Sequence, residues 1–121
     1  MKKVILVVDD SPTIRKFVSV ALSLKGFEIV SCADGMEAIE FLPTKKVDLL
    51  ITDLNMPNVD GFELIASIRK NNEYKEIPII VLSYLGDTED IQKGLECGAN
   101  SYLVKPFDPE RIINEVSKYL N

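Results

Sequence analysis

Histidine is missing from the 121-residue chain, and cysteine occurs only twice, as Cys32 and Cys97. The two cysteines lack the spacing of metal ligands, and there is no histidine to complete a zinc site or to activate a thiol. We therefore expect both to be buried or half-buried structural thiols in a reducing cytoplasm. Any metal bound by this chain would use oxygen ligands, which favours a hard ion.

Long apolar runs and an excess of positive charge are also missing. No run approaches the length of roughly 20 residues that a membrane-spanning helix needs, and the amino terminus has only a short apolar stretch before two acids, unlike a secretory signal. The formal net charge of −5 disfavours direct contact with nucleic acid. We expect a cytoplasmic protein without membrane insertion, whose partners are other proteins or a small cationic cofactor.

One short apolar stretch organises the rest of the chain. Val47 and the run from Leu49 to Ile51 are too few and too apolar for a surface helix, and turn residues from Pro57 to Gly61 follow. The stretch is therefore predicted to be a buried parallel strand. Asp53 lies at its carboxyl end, which is the edge where open α/β sheets place ligands and chemistry.

A second strand brings two more acids to the same edge. Val4 to Val8 is an unbroken apolar run, and Asp9 and Asp10 follow it directly. Neighbouring parallel strands lie about 5 Å apart, so these carboxylates and that of Asp53 would converge. Two unit charges about 4 Å apart repel by roughly 4 kcal/mol at an effective dielectric of about 20, unless a cation lies among the oxygens. Mg²⁺ is favoured over Ca²⁺ as that cation.

The rest of the chain alternates between helical and strand patterns. Further strands are predicted at 27–32, 77–83 and 101–104, and helices around apolar positions 14–22, 38–42, 64–68, 91–95 and 112–120. Asp34 and Glu37 have the spacing of a capping box, and Pro43 is expected to stop the helix that they start.

The helix from about Thr88 to Cys97 is expected to be the least firmly held. Its apolar anchors are few, Ile91 and Leu95, and the interior Gly94 costs about 1 kcal/mol relative to alanine. Five strands alternating with five helices predict a parallel sheet covered on both faces. We expect one domain over residues 1–121, with no output domain.

Polar residues of fixed type follow the strands in order: Asp9 with Asp10, then Asp53, Ser83 and Lys105. Each alone is more easily interpreted as a cap, a solvated surface group or a satisfied loop hydroxyl. Together, with Pro57, Gly61 and Lys105-Pro106 in register, they resemble the response-regulator receiver domain over the whole chain, and most closely its single-domain, CheY-like members. The resemblance implies a doubly wound sheet of order 2-1-3-4-5, which flavodoxin shares.

The resemblance implies a phosphorylation-controlled signalling module of a two-component system, with no catalysis beyond its own phosphorylation and dephosphorylation. Asp53 would accept a phosphoryl group from the phosphohistidine of a sensor kinase or phosphotransfer protein, or from a small acyl phosphate. Asp9, Asp10, Asp53 and the main-chain carbonyl of Asn55 would hold Mg²⁺, which neutralises charge as a phosphoryl group meets a carboxylate. Chemotaxis is suggested by the single-domain form alone.

The other residues of the set would sense the phosphoryl group. Lys105 would supply a positive charge, and its bond to Pro106 is cis in similar receivers. Ser83 would donate a hydrogen bond to a phosphoryl oxygen and pull its loop inward. Tyr102 would then rotate toward the space that the loop vacates, although it could equally be an ordinary half-buried strand aromatic. The surface of the fourth helix, fifth strand and fifth helix would then bind a downstream protein, with the chain a monomer or a phosphorylation-dependent dimer.

Two positions depart from the family pattern. Tyr84 follows Ser83, at a position where the family usually has a small residue. Leu85 comes next, where some fast-hydrolysing relatives have a polar group. We hypothesise that this pair shields the phosphoryl group and lengthens the life of the phosphorylated state.

Three alternatives remain at this point. A pseudo-receiver, which acts through protein contacts without phosphorylation, is disfavoured but open. A hydrolase of the haloacid-dehalogenase type is disfavoured because Asn55 replaces the second acid of its D-x-D motif. An FMN-binding flavodoxin is disfavoured because no phosphate-cradling loop rich in Ser, Thr and Gly follows the first strand.

Overall fold

The structure is a computed structural model that describes residues 2–56 and 58–120. The described residues form five strands: β1 (Val4–Val8), β2 (Glu28–Cys32), β3 (Leu49–Thr52), β4 (Ile79–Ser83) and β5 (Ser101–Val104). They also form five α-helices: α1 (Pro12–Ser23), α2 (Gly35–Phe41), α3 (Gly61–Lys70), α4 (Thr88–Glu96) and α5 (Pro109–Ser117), with a 3-10 turn at Leu42–Thr44. Pro57, predicted to be a turn residue, lies outside the described part of the chain.

The strands form one parallel sheet in the order β2-β1-β3-β4-β5, which confirms the predicted topology. β1 lies between β2 and β3, and its last residue, Val8, pairs with Thr52 at the end of β3. The next residue of each strand, Asp9 and Asp53, therefore leaves the sheet at the same edge. The winding of the chain reverses between β1 and β3, which is the position where such sheets form a crevice.

Apolar side chains cover both faces of the sheet. Alternation along β1 sends Leu6 and Val8 into one cluster, with Ala38 of α2 and Leu64 of α3, because successive strand residues face opposite ways. Ile5 and Val7 enter the second cluster, which contains buried residues of α1 and α5. Burial on both faces explains why these strands are continuous apolar runs rather than alternating patterns.

Several predicted boundaries shift by one or two residues. β4 begins at Ile79 instead of Ile77, β2 begins at Glu28, and β3 begins at Leu49 although Val47 is buried. α2 ends at Phe41, before Pro43 as predicted, and the 3-10 turn that follows it contains Pro43. Proline is tolerated in a first turn, where its missing N–H has no partner to lose.

The predicted capping box at Asp34 is only half formed. Asp34 accepts a hydrogen bond from the Glu37 N–H, but the Glu37 carboxylate accepts from the Ala33 N–H rather than from the cap residue. A complete box is found instead at the start of α3, between Asp60 and Glu63.

α4 differs from its prediction in the residue that faces inward. Leu95 is 42% exposed and so is not an anchor, whereas Gly94 is the buried residue of the helix. Cys32 is buried and Cys97 half-buried, both as free thiols, as predicted. Among the residues that the structure describes, no helix combines the length and apolar character that a membrane crossing needs.

Candidate functional site

Polar side chains are buried at one edge of the sheet. Among the described residues, the buried polar and charged ones are Asp9, Thr52, Asp53, Ser83 and Lys105. All follow or end a strand at its carboxyl end, where the ladder stops and side chains enter the crevice. The structure thus brings together Asp9, Asp53, Ser83 and Lys105, as predicted, and adds Thr52, whose hydroxyl donates to the main-chain oxygen of Asp53.

Lys105 is the cation of the cluster. Its Nζ donates to Asp9 Oδ2 at 2.7 Å and lies 3.5 Å from Asp53 Oδ2. The Lys105 and Asp9 side chains are each 2% exposed, so this ion pair is largely shielded from water. One positive charge therefore faces two buried carboxylates, and the pair to Asp9 is the shorter.

The backbone around the acid pair is held by α1. Asp9 Oδ1 accepts from the Ser11 N–H at 2.9 Å, and the Arg15 guanidinium donates to the main-chain oxygen of Asp9 at 2.6 Å. Sequence reasoning missed Arg15, because it took the inward face of α1 only from apolar residues. The available signal was a basic side chain in the second turn of a helix that starts directly after two acids.

Burial makes the charged form of Asp53 costly. Its Oδ1 accepts from the Leu54 N–H at 2.7 Å. Desolvation is the largest effect and raises the pKa of Asp53; Lys105 opposes that shift, and the charge on Asp9 adds to it. Burial and Asp9 therefore disfavour the charged carboxylate more than Lys105 and the backbone N–H groups favour it.

The three acids supply a set of oxygen ligands. Asp9, Asp10 and Asp53 each have a carboxylate oxygen within 4.8 Å of the others, and Asp10 is exposed. An octahedral Mg²⁺ places its oxygen ligands about 2.1 Å from the ion and usually keeps several waters. A carboxylate cluster open to solvent on one side fits that requirement. Asn55 is exposed, and the ligand role of its carbonyl stays a prediction.

Ser83 and Tyr102 are connected through the backbone of Leu85. The Leu85 N–H donates to Ser83 Oγ at 3.1 Å, and the Tyr102 hydroxyl donates to the Leu85 carbonyl at 2.6 Å. Ser83 is fully buried, and burial raises the pKa of the Tyr102 phenol. Sequence reasoning weighed only the side chain of Leu85 and missed this backbone link.

The family model for the response regulator receiver domain matches residues 5–117. The chain belongs to this family. Receiver domains are signalling modules rather than turnover enzymes, so the coarse functional prediction is confirmed, as is the receiver assignment made from the strand ends.

Similar proteins include regulators of two kinds. The probable transcriptional regulator ycf27 of Cyanophora paradoxa is 43% identical over 92% of this chain, which spans 45% of that protein. Chemotaxis protein CheY1 of Helicobacter pylori is 41% identical over 88% of this chain and 87% of its own length. The crystallised chemotaxis protein CheY4 of Vibrio cholerae is 37% identical with a TM-score of 0.92, over 98% of this chain and 99% of that one.

A glycine shapes the loop that follows the central acid of this receiver. An ideal Cβ on Gly61 would lie 2.2 Å from the main-chain oxygen of Asp53, a distance that no substitution could relieve without moving the backbone. The Gly61 N–H also donates to the Leu54 carbonyl at 3.0 Å. The loop can fold back against Asp53 only because residue 61 has no side chain.

The two residues that depart from the family pattern differ in their contacts. Tyr84 is 68% exposed, and Lys105 Nζ lies 5.1 Å from the centroid of its ring. The Leu85 side chain packs against the cluster that contains α2 and α3 residues. The Lys105-Pro106 bond is cis, as the resemblance implied. The shielding role of Tyr84 and Leu85 stays a prediction.

Proposed function

We propose that this receiver domain is a phosphorylation-controlled module of a two-component system, with Asp53 as the phosphoacceptor. The observation that carries the proposal is the position of the Asp53 carboxylate. It is buried at the switch point of the sheet, with Oδ2 3.5 Å from Lys105 Nζ and with the other two acids within 4.8 Å. A buried carboxylate, a lysine and two further acids thus lie together, as a phosphoacceptor site with a metal would require.

The transfer is a nucleophilic substitution at phosphorus. A carboxylate oxygen of Asp53 attacks the phosphorus of a phosphohistidine, the P–N bond breaks, and the kinase or phosphotransfer protein leaves with a neutral imidazole after proton uptake. Oδ1 is already held by the Leu54 N–H, which leaves Oδ2, on the side of Lys105, as the attacking atom. Lys105 then follows the phosphoryl oxygens as a mobile point charge.

Asp9, Asp10 and Asp53, together with the Asn55 carbonyl, would hold Mg²⁺. When bound, the ion neutralises charge on the carboxylates and on the incoming phosphoryl group. Arg15 holds the main chain at Asp9, which keeps the acid pair facing the crevice before any ligand arrives.

Phosphorylation would be transmitted through Ser83. Its hydroxyl accepts from Leu85 and retains its own O–H, which can donate to a phosphoryl oxygen. That donation pulls on the Leu85 backbone and changes the contact of Tyr102. The surface of α4, β5 and α5 would then bind a downstream protein rather than nucleic acid, whether the receiver works alone or with an output domain.

Intact mass tests the proposal. The receiver is incubated with acetyl phosphate, with and without Mg²⁺, as wild type, Asp53→Asn and the control Asp87→Asn, which changes an exposed acid. We expect one Mg²⁺-dependent phosphoryl gain in wild type and in the control, and none in Asp53→Asn. No gain in any protein would favour the phosphorylation-independent pseudo-receiver.

A further inference from the structure

The buried residue of α4 is a glycine that faces an aromatic ring. An ideal Cβ on Gly94 would lie 3.1 Å from both Cδ2 and Cε2 of Tyr102. That separation is below ordinary van der Waals contact, so the ring fills the space that a side chain at residue 94 would need. A helix interior otherwise favours alanine over glycine, so this residue costs α4 stability in exchange for the contact.

The ring has little freedom to retreat. At one end, Tyr102 pairs with Val81 in the register of β4 and β5. At the other end, its hydroxyl donates to the Leu85 carbonyl at 2.6 Å. A small shift away from α4 would stretch that hydrogen bond, and a large one would break it.

We propose that Gly94 is a positioning residue for Tyr102 in the proposed switch. Because Gly94 has no side chain, the Tyr102 ring can lie inward against α4, with its hydroxyl on Leu85. A Cβ at residue 94 displaces the ring outward, away from Leu85. The path from Gly94 through Tyr102 and Leu85 ends at Ser83. The effect of Gly94 on signalling rests on the proposed function, whereas the steric conflict between a Cβ at residue 94 and the Tyr102 ring does not. In the outward state the ring would join the exposed Leu95 and Val104 on the surface proposed for partners.

A double-mutant cycle tests the steric part. Gly94→Ala is made in wild type, in Tyr102→Phe and in Tyr102→Ala, and the urea midpoint of each protein is measured. In wild type, where the hydroxyl holds the ring against Leu85, we expect no rise in midpoint; in Tyr102→Phe, which keeps the ring but loses that hydrogen bond, we expect a rise smaller than in Tyr102→Ala. In Tyr102→Ala, where the ring is gone, the same change should raise the midpoint, as helix propensity alone dictates. An equal rise in all three backgrounds would overturn the proposal.

A spectroscopic measurement follows the ring itself. In protein with ring-labelled tyrosine, the Tyr102 resonance is assigned by its absence from Tyr102→Phe and is titrated with pH. Burial raises the pKa of Tyr102, Asp90 and Asp53 add to that shift, and Ser83 opposes it. Gly94→Ala should move the pKa toward its ordinary value of 10.0 and reduce the inward fraction about tenfold or more. An unchanged titration would contradict the displacement.

Phosphorylation of wild type and Gly94→Ala by acetyl phosphate distinguishes a failure of this proposal from a failure of the proposed function. A Cβ added at Gly94 would meet the Tyr102 ring and none of the described acids or Lys105, so Gly94→Ala should gain the same phosphoryl group as wild type. If neither protein is phosphorylated, the proposed function fails, while the midpoints and the titration still decide the steric part. If both are phosphorylated and the Tyr102 resonance responds equally in both, Gly94 does not position the switch.

Discussion

Replacing Lys105 by Met should destabilise the folded receiver by roughly 3 kcal/mol when no divalent cation is present. Methionine keeps most of the aliphatic stem and removes the charge that Asp9 and Asp53 share. Their carboxylate oxygens lie within 4.8 Å of each other, and two unit charges at that separation repel by about 3.5 kcal/mol at an effective dielectric of about 20. Removing one partner of a buried pair typically costs about 3 to 5 kcal/mol, because the remaining charge stays buried and uncompensated.

The assay is urea denaturation in EDTA, with Lys46→Met as the matched control. Lys46 is 87% exposed and lies 3.9 Å from Asp48, so its loss should cost less than about 1 kcal/mol. Adding Asp9→Asn to Lys105→Met should recover part of the loss, because it removes one of the stranded charges. If Lys105→Met costs no more than Lys46→Met, the charge cluster does not control stability and the reasoning is refuted.

The deficit of Lys105→Met should also depend on cations and on pH. Saturating Mg²⁺ should narrow the gap to wild type, because without Lys105 the ion meets two uncompensated carboxylates and so binds the variant more tightly; each tenfold gain in affinity adds about 1.4 kcal/mol to the variant's stability relative to wild type. The pKa of Asp53 is raised in the folded state from 3.8, and losing Lys105 raises it further. The gap should therefore shrink as pH falls from the raised value toward 3.8, where the folded chain holds a proton that the unfolded chain has released.

The remaining predictions concern the phosphorylated state, the loop and the thiols. Tyr84→Ala combined with Leu85→Glu should speed loss of the phosphoryl group in Mg²⁺, measured by mass against time; an unchanged decay would reject the shielding hypothesis. Gly61→Ala should lower stability by about 1 to 3 kcal/mol or more by overpacking the loop against main chain, and a urea midpoint equal to wild type would contradict the backbone clash. Burial raises the pKa of the Cys32 thiol to about 11, so Cys32 should react with iodoacetamide far more slowly than Cys97 at pH 8; equal rates by peptide mapping would show that Cys32 is accessible.

The sheet and most of the site were predictable because each strand is an apolar run that a polar residue ends. Once the runs are taken as neighbouring parallel strands, residues that are distant in sequence meet at one edge. Asp9 and Lys105 are 96 positions apart, yet they form the shortest ion pair of the cluster. Strand order puts both residues at the same edge, but β3 and β4 lie between β1 and β5, so the pair forms only because the long lysine side chain reaches across the crevice.

The contacts that the sequence did not predict involve backbone groups or, at Gly94, the side chain that glycine lacks. The Arg15 guanidinium donates to a main-chain oxygen, and Leu85 acts through its own N–H and carbonyl, so neither contact joins two side chains that the sequence pattern could pair. Gly94 appeared only as a cost to its helix, because the ring that needs its space belongs to a later strand. Leu95 was predicted to face inward from its apolar character, although a single leucine at the surface is common.

In the proposed function, the burial that makes this site costly would also allow it to switch. A ligand or modification shifts a conformational equilibrium only by the difference in its interactions with the two states. At an exposed Asp53, water would screen an added phosphoryl charge and leave little difference to transmit. Here Asp53 is 7% exposed, beside a buried lysine and a fully buried serine, so the proposed phosphoryl charge would act on its neighbours with little competing solvent. The two apolar clusters on either face of the sheet would hold the strand ends in place and confine the response to the loops that carry Ser83, Leu85 and Lys105.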